Sequence, residues 1–167
     1  MEIKRILKHL LYPQWLGRRA FPDSLLDKLE TAVKESERSH QGEIRLAVEA
    51  ALDVLPLLRG VTARQRAVQV FGELGVWDTA ANNGVLIYLL LADRRVEIVA
   101  DRGFHECVDA AQWASICREM EVFFGRGEFE VGALLGITRI HELMCQHFRL
   151  QQAAENVDEL PNRPVRL

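Results

Sequence analysis

Residues 77–91 read Trp77-Asp78-Thr79-Ala80-Ala81-Asn82-Asn83-Gly84-Val85-Leu86-Ile87-Tyr88-Leu89-Leu90-Leu91, a polar loop that leads directly into the most apolar stretch of the chain. Seven apolar residues follow Gly84, which predicts a strand covered on both faces and therefore central in a sheet. Asn and Gly tolerate left-handed backbone angles, so the turn at residues 82–84 can expose its amides to a ligand. The same composition also suits an ordinary connecting loop.

A second strand follows the first after a very short turn. The apolar run ends at Asp93-Arg94-Arg95 and is followed by Val96-Glu97-Ile98-Val99-Ala100, and so short a connection requires an antiparallel hairpin. Upstream, residues 43–49 alternate polar and apolar side chains, which predicts a half-buried strand. With helical spacing before, between and after these strands, the predicted order is α-α-β-α-β-β-α-α. We therefore expect an α/β fold, a three-layer α/β/α sandwich with a mixed β-sheet and an extra N-terminal helix.

Length and composition exclude several classes of protein. The chain has 167 residues, 49% of them hydrophobic, which is typical of one soluble globular domain. A net charge of −3 argues against a general nucleic-acid binder. Three cysteines without a CxxC pair suit a reducing compartment, and no stretch approaches the roughly 18 apolar residues of a membrane span. We therefore expect a cytoplasmic protein.

The two ends of the chain differ from its centre. Residues 1–20 form a basic amphipathic segment, in which five basic residues stand against one acidic residue for a local charge of +4. Its apolar residues follow helical spacing, so this helix either packs on the domain or rests on an anionic membrane surface or a partner. Residues 21–150 form the expected α/β domain. Residues 151–167 lack periodicity and predict a flexible C-terminal tail.

Four short motifs occur in a fixed order between about Leu25 and Phe148. A tryptophan closes a helix before the Asn-Asn-Gly-Val-Leu loop at residues 82–86, and the hairpin leads to a Gly-containing loop at residues 99–104. Asp109 opens the next helix, and residues 124–132 read Phe-Gly-Arg-Gly-Glu-Phe-Glu-Val-Gly. This ordered set resembles the TPM domain family, named for a thylakoid lumen protein, a photosystem II repair protein and a nematode receptor modulator. The chain looks like a cytoplasmic, stand-alone bacterial member of it.

The resemblance implies a limited set of activities. Family members are associated with acid phosphatase activity, with calcium or other divalent cations, and with assembly or maintenance of membrane complexes. A small helical membrane protein of the LemA type is the partner that the resemblance suggests. The family's usual aspartate before Asn-Gly is Asn82 in this chain, which removes one charge from the loop. Because hard cations depend on the number of carboxylates, we expect Ca²⁺ or Mg²⁺ to bind weakly here.

Loops at one edge of the predicted sheet gather the candidate site residues. The expected ligand-binding residues are Trp77, Asn82, Asn83, Gly84 and Arg102. The expected metal ligands are Asp78, Asp101 and Asp109, whose carboxylates suit one divalent cation completed by amide oxygens and water. A metal there could polarise a phosphoryl group, and Arg102 could neutralise it. In a simpler alternative, Asp109 is a helix cap and Asp78 a turn former.

No recognisable nucleophile motif accompanies these carboxylates. The chain lacks a Ser nucleophile elbow, a P-loop and a GxGxxG motif, and His141 with Cys145, four residues apart on a helix, are too few ligands for zinc. We therefore expect a non-catalytic binding or assembly module associated with a membrane-protein partner, without nucleic-acid binding. The alternative is a divalent-metal-dependent phosphatase acting on phosphomonoesters. Residues 1–20 are expected to make peripheral membrane contact.

Overall fold

A mixed four-stranded sheet forms the centre of the protein. The computed structural model describes residues 3–150 and 158–167. The strands are β1 (Glu43–Glu49), β2 (Gly84–Leu90), β3 (Arg95–Ala100) and β4 (Val165–Arg166). They lie in the order β3-β2-β1-β4, with β1 parallel to both β2 and β4, and with β2 and β3 in an antiparallel hairpin. The predicted α/β class, hairpin and mixed sheet are confirmed.

Strand β2 is central because helices cover both faces of the sheet. All seven of its residues are buried. Side chains alternate along a strand, so Val85 and Ile87 join the core on one face, whereas Leu86 and Tyr88 join the core on the other. This burial on two sides explains why the sequence of β2 is continuously apolar.

Helices pack on the two faces of the sheet. The described residues form α1 (Ile3–Leu10), α2 (Gln14–Ala20), α3 (Asp23–Ser36), α4 (Val54–Leu58), α5 (Ala63–Glu73), α6 (Ala110–Gly125), α7 (Phe129–His147) and a 3₁₀ turn (Arg102–Phe104). Helices α3, α6 and α7 cover one face, and α5, with contributions from α1 and α4, covers the other. The three-layer arrangement and the extra N-terminal helix are as predicted, whereas the short helices α2 and α4 were not foreseen.

Local capping signals determine where the two helices that flank the hairpin begin. The side chain of Thr62 accepts the N–H of Gln65, which completes a capping box at the start of α5. Asp109 does the same with Gln112 at the start of α6. These short-range bonds satisfy N–H groups that the first helical turn leaves without a partner.

Strand β1 is more deeply buried than its alternating sequence predicts. The pattern predicts one exposed face, but all seven residues are buried. One edge of β1 pairs with β2 and the other with β4, while helices cover both faces. The polar residues Glu43, Arg45 and Glu49 therefore lie inside the protein and need internal partners.

Residues 158–167 are not the flexible tail that the sequence predicts. Val165 pairs with Ala47 in the parallel ladder between β4 and β1, and Leu160 is buried in the core. Arg163 donates hydrogen bonds to the carboxylates of Asp27 and Glu30. The open edge of β1 needs a partner, and a two-residue strand is too short to show periodicity. Residues 151–157 of the predicted tail lie outside the described residues.

Helix α1 is tied to the turn of the hairpin through polar residues. Arg5 donates from Nε and Nη2 to Oδ2 of Asp93, at 2.9 and 2.8 Å, and Nε2 of His9 lies 2.8 Å from Oδ1 of the same carboxylate. Ile6 packs against the core. The apolar side chains that stay exposed are Ile3, Leu7, Leu10 and Leu11. Within the described ranges, no helix is long and apolar enough to cross a membrane.

Candidate functional site

The polar loop before β2 has a tightly defined shape. Asn82 adopts a left-handed conformation with φ of +51°, which its short polar side chain tolerates. The carbonyl of Thr79 accepts the N–H of Asn82 at 3.1 Å, and its hydroxyl accepts the N–H of Asn83, also at 3.1 Å. A Cβ atom on Gly84 would lie 2.0 Å from the carbonyl oxygen of Val76. The loop therefore requires glycine where it enters the strand.

The loop after β3 lies directly against this first loop. The N–H of Asp101 donates to the carbonyl of Gly84, and the N–H of Gly103 donates to the carbonyl of Asn82, both at 2.9 Å. Nε of Arg102 donates to Oδ1 of Asn82 at 2.9 Å. The structure thus brings Asn82, Gly84, Asp101 and Arg102 together at one edge of the sheet.

Asn83 and Trp77 occupy opposite environments. Asn83 is 1% exposed, and its Nδ2 donates to the carbonyl of Gln41 at 2.8 Å. Its Oδ1 is also buried and has no hydrogen-bond donor among the described residues. Trp77 is 56% exposed, so it is a surface aromatic residue. Of these two candidate ligand-binding residues, Trp77 is the accessible one.

The three predicted metal ligands are not brought into one cluster. Oδ1 of Asp109 accepts the N–H groups of Ala111 and Gln112 at the start of α6, which is the helix-cap alternative. Oδ1 of Asp101 accepts the N–H of Arg102 at 2.7 Å, while Asp78 is exposed. In the part of the chain that the structure describes, a different set of three carboxyl groups could hold a metal ion. Their ligand atoms lie within 4.8 Å of one another, and they belong to Glu37, Glu43 and Asp158.

Sequence reasoning missed this acidic group beside the loop. Glu43 pairs with Gly84 in the ladder between β1 and β2, and its N–H donates to the carbonyl of Asn83 at 3.3 Å. The Glu37 carboxylate accepts the N–H of Ile44 at 2.9 Å. The alternation at residues 43–49 predicted that Glu43 faces water. The sequence therefore contained no local signal that the C-terminal segment buries this carboxyl.

Burial controls the charge of these two carboxyls. It raises the pKa of Glu43 to about 7, although hydrogen bonds from the N–H groups of Glu159 and Leu160 partly oppose it. Burial likewise raises the pKa of Glu37 to about 8, against the hydrogen bond from Ile44. Arg45 lies close enough to Glu37 to interact with its charge. Near neutral pH these two carboxyls are therefore partly protonated. Their negative charge, which a divalent cation needs in its ligands, is reduced.

The helix face shared by His141 and Cys145 belongs to a buried polar network. Oγ of Ser36 lies 2.9 Å from Nε2 of His40 and 3.0 Å from Nδ1 of His141, and Sγ of Cys145 lies 3.5 Å from Nε2 of His141. Burial lowers the pKa of His40 to about 4, and the neighbouring His141 adds to this effect. This hydroxyl links α3 to α7. Because Ser36 is only 7% exposed, the hydroxyl is shielded from a substrate.

Comparison with known proteins identifies the family. The family model of the TPM domain matches residues 19–143, and the chain therefore belongs to the TPM domain family. A comparison with the curated proteins finds no match.

Solved structures share the fold. The BA42 protein of the psychrophilic bacterium Bizionia argentinensis is 26% identical, with a TM-score of 0.74 over 86% of this chain and 93% of that one. The N-terminal domain of a P. gingivalis protein is 17% identical, with a TM-score of 0.59 over 75% of this chain and 79% of that one. The N-terminal domain of a Corynebacterium glutamicum protein is 12% identical, with a TM-score of 0.53 over 80% and 82%.

Proposed function

We propose that this TPM-domain protein is a non-catalytic binding module that works at an anionic membrane surface, beside a membrane-protein partner such as the LemA type that the family resemblance suggests. The observation that carries the proposal is the exposed apolar face of α1, flanked by basic residues. A docked helix that still exposes its hydrophobic side chains needs a further surface to cover them.

The loop site supports a binding role because its polar groups hold the loops in shape. Asp109 is engaged by the first turn of α6, and Asp101 by the N–H of Arg102. Asn82 supplies a neutral amide where relatives have a carboxylate, and that amide is bonded to the guanidinium of Arg102. Fewer free carboxylates weaken the affinity for a hard cation.

The N-terminal helices support contact with a membrane. Ile3 is 74% exposed and Trp15 58%, and Leu7 and Leu10 extend the same apolar surface along α1. The exposed basic residues of this segment are Lys4, Lys8, Arg18 and Arg19. Each cation near an anionic surface contributes about 1 kcal/mol, and the apolar face adds interfacial burial.

Charge complementarity favours an anionic surface as the occupant. The segment 1–20 has a charge of +4 within a chain of net −3, so the rest of the molecule carries −7. The basic segment therefore orients the protein with its acidic body away from anionic lipid. Salt is expected to weaken this attraction by screening.

Vesicle co-sedimentation tests the proposal directly. Vesicles of phosphatidylcholine with 30% phosphatidylglycerol are expected to sediment the protein at low salt, and pure phosphatidylcholine vesicles to sediment much less of it. Replacing Leu7 and Leu11 by serine should reduce binding several-fold. The matched control replaces Val122 and Val131, exposed hydrophobic residues of α6 and α7, and should bind as the wild type does. Protein that stays in the supernatant with anionic vesicles at low salt contradicts the proposal.

The phosphatase alternative is tested on the same protein. Purified protein would be assayed on p-nitrophenyl phosphate with Mg²⁺ or Ca²⁺ added. We expect no turnover above the uncatalysed rate. Turnover that is abolished by Asp78→Ala or Asp101→Ala would refute the non-catalytic assignment.

A further inference from the structure

A cavity of about 740 Å³ opens between α1, the start of α5 and strand β3. Its size is within the range of small-molecule sites. Arg5 lines it from α1, Arg64 from α5 and Arg95 from β3. Three guanidinium groups thus converge on one cavity from elements that are distant in sequence.

Two of these arginines keep donors for a ligand. Arg5 is committed, because it binds Asp93 and donates from Nη1 to the carbonyl of Val61. Arg64 donates from Nη1 to the carbonyl of Ile98, yet its side chain remains 54% exposed. Nη1 of Arg95 lies 3.6 Å from Oε1 of Glu121, and its side chain remains 61% exposed. A guanidinium has five N–H donors, so both groups can bind an oxyanion while they keep their present contacts.

Each of these arginines lies near one carboxylate. Asp93 is neutralised by Arg5 and bonded to His9, and Glu97 lies 3.8 Å from Arg64. Three cationic and two acidic side chains line the cavity, and the third carboxylate, that of Glu121, lies beside Arg95 without lining the cavity. The N-terminal end of α5 also borders it through Thr62 and Ala63, and its helix dipole adds partial positive charge there.

Apolar side chains complete the lining. Ile6 and Leu57 line the cavity beside the arginines. Leu57 belongs to α4, which packs against α1 and exposes Leu55 and Leu58 to solvent. The cavity therefore combines oxyanion-binding groups with neighbouring hydrocarbon surface.

We propose that this cavity binds the phosphate group of an anionic amphiphile, with Arg64 and Arg95 as its donors and the apolar side chains of α1 and α4 against its hydrocarbon. The source of the phosphate as a lipid headgroup rests on the proposed membrane contact. The phosphate chemistry itself does not, because a free phosphate ester presents the same oxygens to the guanidinium groups.

Calorimetry with soluble probes separates the two sources. Dihexanoyl phosphatidylglycerol below its critical micelle concentration is expected to bind the wild-type protein, and inorganic phosphate to compete with it. The variant carrying Arg64→Gln and Arg95→Gln should lose at least about 10-fold in affinity, because it removes charge-assisted hydrogen bonds. The matched control, Arg38→Gln with Arg118→Gln, removes two exposed cations that lie outside both the cavity and the N-terminal segment, and it should bind the short-chain lipid unchanged.

Each outcome bears on a separate statement. Equal affinity of the wild-type and Arg64/Arg95 variants for the short-chain lipid would overturn the cavity assignment, and Arg95→Gln alone tests it if the double variant unfolds. Tight binding of inorganic phosphate without a gain from the acyl chains would assign the site to free phosphate. If the soluble lipid binds in an arginine-dependent way but vesicles do not, the proposed membrane function fails and the phosphate site stands.

Discussion

Replacing Glu43 by glutamine is expected to stabilise the folded protein above pH 7. Burial raises the pKa of Glu43 from 4.5 to about 7. Between these two pH values the folded protein keeps a proton on this carboxyl, whereas the unfolded chain releases it. A carboxyl whose pKa is raised in the fold contributes full stability below its unfolded pKa, and this contribution is lost as the pH rises through about 7. Glutamine carries no charge at any pH and therefore removes this loss.

The size of the effect follows from the pKa difference. One pKa unit corresponds to about 1.4 kcal/mol, so the shift of Glu43 is worth on the order of 3 kcal/mol once the carboxyl has ionised. Oε2 of Glu43 accepts the N–H of Leu160 at 3.3 Å, and the amide oxygen of glutamine can keep that bond. Glu37, with a pKa of about 8, continues to titrate in the single variant. Part of the pH dependence should therefore remain until Glu37→Gln is added.

Urea unfolding monitored by tryptophan fluorescence measures this prediction. Wild type and Glu43→Gln should differ little at pH 4, below the unfolded pKa, and by a few kcal/mol at pH 8.5, with the variant more stable. Glu35→Gln, an exposed change in α3, is the control and should reproduce the wild-type profile. If Glu43→Gln has the wild-type slope between pH 5.5 and 8.5, or is less stable at pH 8.5, the assignment of Glu43 as a buried, protonated carboxyl is refuted.

Three further changes test the loops and the N-terminal helix. Gly84→Ala places a Cβ atom 2.0 Å from the carbonyl of Val76 and should cost about 3 kcal/mol in chemical unfolding, whereas Gly125→Ala, which meets nothing within 4 Å, should be nearly neutral. Asn82→Asp adds a carboxylate to the loop, so calorimetry should show tighter Ca²⁺ binding; unchanged affinity would mean that the loop does not face a metal. Asp93→Asn weakens both bonds from α1 and should speed hydrogen exchange in that helix, while an unchanged rate would show that other contacts hold it.

Features carried by short-range signals were readable in the sequence. The continuous apolar run of β2 predicted a central strand, and the short turn at residues 93–95 predicted its antiparallel partner. Asp109 was recognised as a residue that opens a helix, and the structure shows its carboxylate bound to the first turn of α6. The motif order was sufficient to identify the TPM family. These signals act within a few residues, so they survive without knowledge of the tertiary structure.

Features that depend on distant parts of the chain were decided by the tertiary structure. The acidic group joins Glu37 and Glu43 to Asp158, and β4 pairs with β1 across more than a hundred residues of sequence. The alternation at residues 43–49 correctly predicted a strand. Its polar residues are nevertheless buried, because both edges and both faces of β1 are covered. The sequence by itself determined the longer helices, the strands β1 to β3 with their hairpin, and the family. Only the tertiary structure decided which carboxyls meet and which are buried, because each strand edge and each helix face is completed by residues far along the chain.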